Sequence, residues 1–262
     1  MSRLYGEKED INPNTVKNFF SDRAHRDFES DLSIVLFQDK DESEIWNNEE
    51  KESFLGNIDV TGKKVLEIGC GIGRFVDALY DKCDSYLGID YTEDFIEMAK
   101  KSHDYDNCKF QVMSATDINV DELLIEPPFD VIIFSGVLMY INDEDIKLVF
   151  KELNRIGAED KKLFIMEPIA CIDSRLTLKD FYSEGLDADY NAIYRTEDEY
   201  RELFKCLNCN KVSSDFIFTD LSKHTETKYK FFIIEYFSSK LFFYYYIESV
   251  FFILTCDLNE GI

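Results

Sequence analysis

The stretch VLEIGCGIGRF, residues 65 to 75, decides how this sequence is interpreted. Its first residues are apolar apart from Glu67, which is typical of a buried strand. Gly69, Gly71 and Gly73 follow at alternate positions. Glycine permits a sharp turn and lets the backbone come close to a ligand. The stretch therefore predicts a strand that ends in a ligand-binding turn and continues into a helix.

Glycine-rich turns between a strand and a helix also bind dinucleotides, so the spacing of the glycines has to show which kind of ligand this turn binds. The dinucleotide fingerprint GxGxxG has Gly or Ala at its last position, where this chain has Arg74. Glu67 would repel a pyrophosphate but can hold an ammonium group, directly or through water. Asp90, which ends the next predicted strand, can accept hydrogen bonds from ribose hydroxyls. Together these residues favour a cationic nucleoside without phosphate.

Around this motif, short apolar runs alternate with helical stretches, which is the pattern of a parallel sheet wrapped by helices. The predicted strands are residues 63–69, 85–90, 109–114, 129–136 and 162–168. The predicted helices are residues 74–82, 92–101, 143–156 and 196–207. Two late strands, 211–220 and 228–237, have no helix between them and are predicted to pair antiparallel. The pattern predicts an α/β fold with a doubly wound, mostly parallel sheet.

The segments outside this pattern suggest additions to one core. Residues 1–45 are polar with short apolar-periodic runs and are predicted to form a helical lid. The core is predicted to span 46–237, with a long connection at 169–195 acting as a substrate cap. Residues 238–262 form a tail whose aromatic, apolar run, 241–254, is too short to span a bilayer and is interrupted by Glu248. Three interpretations of the tail stay open: a helix packed on its own sheet or on a second subunit, a helix at a membrane surface, or a non-native extension.

Composition narrows the possible partners and the compartment. The chain has 262 residues and a formal net charge of −24, so we expect neither nucleic acid nor anionic lipid to bind most of its surface. Seven cysteines without a framework spacing, and a polar amino terminus without an apolar run, favour reduced thiols in a cytoplasmic protein. Cys206 and Cys209 form a single CxxC with no second ligand pair, so no metal site is expected.

Four segments in sequence resemble the class I S-adenosylmethionine-dependent methyltransferases: VLEIGCGIGRF, LGIDYTEDFIEMAKK, FDVIIFSGVLMYI and LFIMEP. The resemblance covers roughly residues 50 to 236. It implies a seven-stranded sheet whose last strand is antiparallel, and S-adenosylmethionine as the cofactor. This cofactor carries ammonium and sulfonium cations and no phosphate, which agrees with the two carboxylates.

The resemblance also implies which residues bind the cofactor. The methionine part would lie on Glu67 and on the turn from Gly69 through Cys70 and Gly71 to Gly73. Asp90 would bind the ribose, and Tyr91 would pack on the adenine. The remaining positions implied are Ser114, Ala115 and Asp117 near the adenine, and Ser135 beside the transferable methyl group.

Methyl transfer to an oxygen atom needs a base, for which Tyr140, Glu167 and His25 are the candidates. The connection at 169–195 offers aromatic and cationic side chains for a polar acceptor. These candidate substrate-binding residues are Arg175, Tyr182, Tyr190, Tyr194 and Arg195.

A second resemblance rests on FFSDRA at 19–24 and YNAIYRT at 190–196. These segments are similar to bacterial methyltransferases of capsule or other surface-polysaccharide biosynthesis. They imply hydroxyl methylation of a nucleotide sugar or glycan precursor, and pairing of Arg23 with the cofactor carboxylate. Two other functions stay open: an NAD-dependent oxidoreductase, and a catalytically inactive module that binds the cofactor or a partner.

Overall fold

The computed structural model describes residues 2–183, 186–216 and 227–236. The strands of these residues are β1 (Ser2–Tyr5), β2 (Lys64–Ile68), β3 (Ser85–Asp90), β4 (Cys108–Val112), β5 (Phe129–Ser135), β6 (Gly157–Ala170), β7 (Leu176–Ser183), β8 (Ala188–Tyr194), β9 (Lys211–Phe216) and β10 (Thr227–Glu235). The α-helices are α1 (Pro13–Ala24), α2 (Leu32–Val35), α3 (Lys40–Asn57), α4 (Val76–Leu79), α5 (Glu93–Ser102), α6 (Asp143–Ile156) and α7 (Glu197–Phe204). Short 3₁₀ turns lie at Val120–Glu122, Leu138–Tyr140 and Lys205–Leu207.

Seven strands form the main sheet in the order β4-β3-β2-β5-β6-β10-β9. The first five are parallel to one another. Strand β10 runs antiparallel to both of its neighbours, with Phe232 opposite Ile165 on one side and Ser214 on the other. The predicted fold class, a mostly parallel α/β sheet with an antiparallel last strand, is confirmed.

The core lies on both faces of this sheet because alternate residues of each strand point to opposite sides. In β2, Leu66 and Ile68 belong to one apolar cluster, and Val65 belongs to the other. Helix α6 covers the first face with Ile146, Val149, Phe150 and Leu153, which recur at the spacing of one helical side. The sheet is thereby fixed between helices, and the carboxyl ends of its parallel strands meet at one edge.

A second, three-stranded antiparallel sheet has the order β1-β7-β8. Strands β7 and β8 lie in the connection at 169–195, and β1 comes from the amino terminus, where helices were expected. Its Leu4 is opposite Thr177 of β7. Strand β1 is short and its apolar pattern is weak, so its own sequence does not predict a strand. It forms a strand because the edge of β7 offers unpaired backbone groups.

Three other differences concern element bounds. Helix α3 begins at Lys40 and crosses the expected lid boundary at 45 and 46. Helix α4 is only Val76–Leu79, shorter than the expected 74–82. The tail at 238–262 lies outside the described residues, so its three interpretations stay as predictions. Among the residues that the structure describes, no helix combines the length and the apolar character that crossing a bilayer requires.

Candidate active site

A cleft of about 260 Å³ lies at the carboxyl edge of the parallel strands. Its floor is made by the glycine turn after β2 and by the residues that follow β3, β4 and β5. Its roof is contributed by the amino-terminal helices: Val16 and Phe20 of α1, Val35 of α2, and Trp46 and Glu50 of α3. This is the position at which open α/β sheets bind ligands.

The glycine turn comes close to its neighbours in a way that a larger residue would prevent. Gly69 and Gly71 have φ of +74° and +54°, in the left-handed region. A Cβ atom on Gly69 would lie 2.4 Å from Cγ2 of Val137, and one on Gly71 would lie 3.3 Å from Cγ1 of Val35. Both glycines and Cys70 between them line the cleft.

Gly73 is the third glycine of the turn. It is not among the residues that line the cleft. A Cβ atom there would lie 3.0 Å from both the His103 and the Phe110 rings. Gly73 therefore allows the turn to pack against the end of α5 and against β4, and its predicted contact with the cofactor stays a prediction.

Glu67 lies at the end of β2, buried and facing the cleft. Its Oε2 accepts a 2.5 Å hydrogen bond from the Tyr86 hydroxyl. Burial raises the pKa of Glu67 to about 7, although the Tyr86 hydrogen bond and the Arg74 charge oppose this shift. A carboxyl group held in this way gains stability as an anion when a cationic ligand lies beside it.

Asp90, at the end of β3, lines the same cleft. Its Oδ2 accepts a hydrogen bond of 3.0 Å from the Gly71 amide, and its Oδ1 accepts one of 2.8 Å from the Thr92 amide. Burial raises its pKa, and these amides oppose the shift. The carboxylate thus ties the glycine turn to the end of β3, as two hydrogen-bond acceptors in one wall of the cleft.

Arg74 is the residue that departs from the dinucleotide fingerprint, and its side chain lines the cleft. Its Nη1 lies 2.7 Å from Oε2 of Glu50 and donates to Asn47 at 3.1 Å. Its Nη2 donates to the Ser135 hydroxyl at 3.3 Å. Sequence reasoning missed Glu50 and Asn47, which lie in α3 and precede Arg74 by about 25 residues. The acid-rich sequence of α3 gave no signal that one carboxylate is buried.

Arg23, which was expected to pair with the cofactor carboxylate, does not line the cleft. Its guanidinium is buried and donates to the carbonyl oxygens of Ile34 at 2.7 Å, Leu36 at 3.0 Å, Leu186 at 3.4 Å and also Ser33. Burial lowers its pKa to about 10. Its donors are used to fix α1 on the turn at α2, so the predicted role is corrected.

Of the residues expected near the adenine, Tyr91, Ser114 and Ala115 line the cleft. The Ser114 hydroxyl lies 3.0 Å from that of Thr116. Asp117 is exposed and is not among the lining residues, so its expected role is corrected. The apolar side chains of Phe95, Met113 and Ile141 complete this end.

Tyr140 is the one candidate base of the three that lines the cleft. Its hydroxyl lies 3.0 Å from that of Tyr190, which in turn accepts a hydrogen bond of 3.5 Å from Tyr194. Burial raises the pKa of Tyr140, so the phenol is protonated at neutral pH. It can orient an acceptor by hydrogen bonding, whereas a tyrosinate base is disfavoured. Two predicted substrate residues, Tyr190 and Tyr194, thus lie behind it.

Glu167 is buried at the end of β6 but does not line the cleft. Its two oxygens accept hydrogen bonds from the amides of Val137 at 2.8 Å, Leu138 at 2.7 Å and Met139 at 3.1 Å. Burial raises its pKa to about 7 against the effect of these amides. Glu167 therefore anchors the turn that carries Tyr140, and its predicted role as a base is corrected.

His25 lies on the surface with 70% of its side chain exposed, outside the cleft. Its Nδ1 lies 2.8 Å from the Ser21 carbonyl oxygen and its Nε2 lies 3.6 Å from Asp94. The carbonyl and the Asp94 charge raise its pKa. His25 therefore lies outside the cleft in this structure, and its catalytic role stays a prediction.

The two arginines of the connection are structural. Arg195 is completely buried and donates to Asp143 at 2.8 Å and to the carbonyl oxygens of Leu138 and Ile141. Arg175 donates to Asp143 at 2.7 Å and to Glu199 at 2.8 Å. Neither arginine lines the cleft, so both predicted substrate contacts are corrected.

Tyr182 is the remaining predicted substrate residue. It is exposed on β7, where its hydroxyl donates to Asp187 at 2.5 Å, and it does not line the cleft.

The part of the chain that the structure describes contains no cluster of three or more His, Cys, Asp or Glu side chains that could hold a metal.

Sequence comparison places most of the chain in a known family. Residues 59–231 match the profile of a methyltransferase domain. The chain is 26% identical over 210 residues to phosphoethanolamine N-methyltransferase 3 of Arabidopsis thaliana, which covers 79% of this chain and 38% of the relative. It is 36% identical over 91 residues to phosphoethanolamine N-methyltransferase 1 of Zea mays, covering 34% of this chain and 18% of the relative. The chain therefore spans less than half the length of either relative.

Solved structures share the fold at low identity. Phosphoethanolamine N-methyltransferase 1 of Haemonchus contortus, in complex with phosphoethanolamine and S-adenosylhomocysteine, superposes with a TM-score of 0.65 at 16% identity, over 85% of this chain and 48% of that one. A SAM-dependent methyltransferase of Leishmania major superposes with a TM-score of 0.63 at 16% identity, over 85% and 82%. The chain therefore belongs to the methyltransferase domain family, within the class I S-adenosylmethionine-dependent methyltransferases.

Proposed function

We propose that this protein transfers the methyl group of S-adenosylmethionine to a small acceptor molecule. One observation carries the proposal: Glu67 and Asp90, on either side of the glycine turn, both line a single cleft with Gly69 and Gly71. Two carboxylates beside a glycine turn suit a nucleoside with a cationic amino-acid part, and they repel a pyrophosphate. This charge pattern argues against the NAD-dependent alternative.

The residues present fit each part of this cofactor. Glu67 would hold the ammonium group and Asp90 the ribose hydroxyls. Arg74, already directed into the cleft by Glu50 and Ser135, would hold the carboxylate. Tyr91 would contact the adenine. When bound, the cofactor supplies a methyl group on a sulfonium, which leaves as a neutral thioether when an acceptor displaces it in line.

The protein's own contribution is to orient the acceptor and exclude water. The Tyr140 hydroxyl, supported by Tyr190, would accept a hydrogen bond from the acceptor and direct its lone pair. Glu167 would keep Tyr140 in place through the amides of the turn at 137–139. The roof of α1, α2 and α3 would close the cleft over the reacting atoms.

Nitrogen is the acceptor atom that we favour over oxygen. The relatives carry the name N-methyltransferase. An aliphatic amine is protonated at neutral pH, but its proton is acidic enough to pass to water before the lone pair attacks, and a hydroxyl proton is not. A hydroxyl acceptor requires a base, but Glu167 and His25 lie away from the cleft and Tyr140 is protonated. The expectation of a hydroxyl in a nucleotide sugar or glycan precursor therefore gains no support from the site.

Calorimetric titration with S-adenosylhomocysteine and with NAD tests the cofactor. We expect the first to bind and the second not to bind. Asp90→Ala should weaken S-adenosylhomocysteine binding at least about tenfold, since it removes the ribose acceptors and the tie to Gly71. Asp104→Ala, which removes an exposed carboxylate, is the matched control. Tight NAD binding without S-adenosylhomocysteine binding would refute the proposal.

Turnover separates an enzyme from an inactive cofactor-binding module. S-adenosylmethionine labelled in its methyl group should give labelled product with at least one amine of a panel of small amines and alcohols. Good binding of S-adenosylhomocysteine combined with no labelled product from any acceptor would favour the inactive module.

A further inference from the structure

The charges that line the cleft are predominantly negative. The acidic lining residues are Glu50, Glu67, Asp90 and Asp145, and among the described residues Arg74 is the only cationic one. The Arg74 charge is compensated by Glu50 at 2.7 Å. Within the described residues the Asp145 carboxylate has no ion-pair partner, and it lies in the first turn of α6. Because the proposed function assigns Glu67 and Asp90 to the cofactor, Asp145 is the acidic lining residue left, among the described residues, to face an acceptor. Its charge attracts a cation and disfavours an anion.

The arginines nearest the cleft are already committed to protein groups. Arg23 donates to four backbone carbonyls, as described above. Arg175 and Arg195 both donate hydrogen bonds to Asp143. Arg175 also donates to Glu199, and Arg195 also donates to two backbone carbonyls. Recognition of a phosphate requires guanidinium or ammonium donors that face the ligand. None of these three side chains lines the cleft.

Two lysines lie near the lining residues. Lys51 is partly buried and interacts electrostatically with Glu50 and Glu67, but it does not line the cleft. Lys17 is exposed and contacts Tyr91. Its ammonium lies 5.8 Å from the centre of the Tyr91 ring, but Lys17 is not among the lining residues. A fully hydrated ammonium outside the cleft contributes little to the affinity for a phosphate because water screens its charge.

Aromatic rings face the interior of the cleft. Phe20, Phe95, Tyr91 and Tyr140 all line it. The Phe20 ring packs edge to face with Tyr140 at 5.1 Å and with Phe95 at 6.0 Å between centroids. Aromatic faces attract cationic groups and bury apolar ones, and they offer nothing to a phosphate.

Building on the proposed function, we infer that the acceptor is an amine without phosphate or carboxylate, its remainder apolar or uncharged. This differs from the phosphoethanolamine named for the relatives. The bound ammonium first loses one proton to water. The lone pair of the resulting neutral amine then forms the new N–C bond while the C–S electron pair stays on sulfur. The product is the methylated ammonium, so the one proton released to water balances the step.

Ethanolamine and phosphoethanolamine form a matched pair because they share the amino group and differ by one phosphate. Both are titrated calorimetrically into the protein saturated with S-adenosylhomocysteine, together with a series of n-alkylamines. We expect ethanolamine or an alkylamine to bind at least about tenfold more tightly than phosphoethanolamine. The ratio of kcat/KM for the same pair, measured with S-adenosylmethionine, should have the same sign.

A charge reversal inside the cleft provides a second measurement. Asp145→Lys should shift the binding ratio towards phosphoethanolamine by at least about fivefold, because it gives the phosphate a cation. Glu144→Lys makes the same charge change on the neighbouring exposed residue, which does not line the cleft, and should leave the ratio unchanged.

Two results would overturn the inference while leaving the proposed function intact: tighter binding of phosphoethanolamine by the unmodified protein, or no binding by any amine although S-adenosylhomocysteine binds. An unchanged ratio in Asp145→Lys would show that cleft charge does not select the acceptor. Failure to bind S-adenosylhomocysteine would instead refute the proposed function, and the inference with it.

Discussion

The Arg74 guanidinium lies 2.7 Å from the Glu50 carboxylate, and only 9% and 3% of these two side chains is exposed. Arg74 follows the glycine turn, and Glu50 comes from helix α3, so the pair ties the roof of the cleft to its floor. The Trp46 indole nitrogen donates to the other Glu50 oxygen at 3.0 Å. A buried pair of this kind is more sensitive to the loss of one partner than to the loss of both.

Arg74→Met should lower the free energy of unfolding by about 3 to 5 kcal/mol, since it leaves the Glu50 carboxylate buried without its cation. The double variant Arg74→Met, Glu50→Leu should recover most of this loss. Urea denaturation of both variants measures the difference. Equal losses in the single and double variants would show that the ion pair does not govern stability here.

Gly71→Ala should weaken S-adenosylhomocysteine binding by about tenfold or more, because the new methyl group lies in the lined turn close to Val35. Gly62→Ala is the control, since Gly62 also has a positive φ, +66°, but has nothing within 4 Å of its Cβ position and is outside the cleft. Both variants carry a similar backbone strain. Equal affinities would contradict the assignment of the turn to the cofactor.

Binding of S-adenosylhomocysteine should strengthen as the pH rises towards 7 and then level off. Burial raises the pKa of Glu67 to about 7, so below that pH the carboxyl is mostly neutral and attracts the ligand ammonium weakly. The affinity should fall by up to about tenfold per pH unit below 7. Calorimetry from pH 5.5 to 7.5 measures this, and Glu67→Gln should flatten the profile. A flat profile in the unmodified protein would exclude Glu67 as the ammonium partner.

Glu167→Ala should lower the free energy of unfolding by at least about 1 to 3 kcal/mol, since three amides at 137–139 lose their acceptor. If Glu167 acts by positioning, the variant's residual turnover should keep the pH dependence of the unmodified protein while kcat decreases. Loss of the acid limb of that profile, where the rate rises as a general base loses its proton, would identify Glu167 as a base instead.

Tyr140→Phe should raise the acceptor KM or lower kcat by about tenfold while S-adenosylhomocysteine affinity stays the same, because the proposed function assigns its hydroxyl to the acceptor and not to the cofactor. Tyr105→Phe is the control, since it removes a hydroxyl that bonds Asp77 away from the cleft. Steady-state kinetics with calorimetry separate the two effects. A parallel loss of cofactor affinity would move Tyr140 to the cofactor site.

Local sequence patterns were sufficient for most of the main sheet. Strand β3 and helix α6 coincide with the predicted residues 85–90 and 143–156. The signal for β3 is a short apolar run, and the signal for α6 is a set of apolar residues at helical spacing. Both signals depend on neighbours in sequence. The lining positions Glu67 and Asp90 followed from the same logic, because strand ends in a parallel sheet meet at one edge.

Partners distant in sequence were not predictable in this way. Arginine is a common ligand-binding residue, and three arginines were predicted to bind ligands: Arg23, Arg175 and Arg195. In the fold their guanidinium groups instead donate hydrogen bonds to backbone carbonyls or to carboxylates such as Asp143. Glu167 faces three amides 28 to 30 residues away and not the substrate. A sequence shows that a charged side chain is present, but its burial and its partner depend on how elements pack.

The sequence by itself determined the strand and glycine turn at 65–75 and the two carboxylates of the cofactor cleft, because strand periodicity and glycine geometry are local properties. Only the tertiary structure decided that β1 joins the cap, that Glu50 neutralises Arg74 and that the nearby arginines face the protein. These features depend on contacts between segments that are distant in sequence. Such contacts form only when helices and strands pack together and their facing surfaces are buried and desolvated.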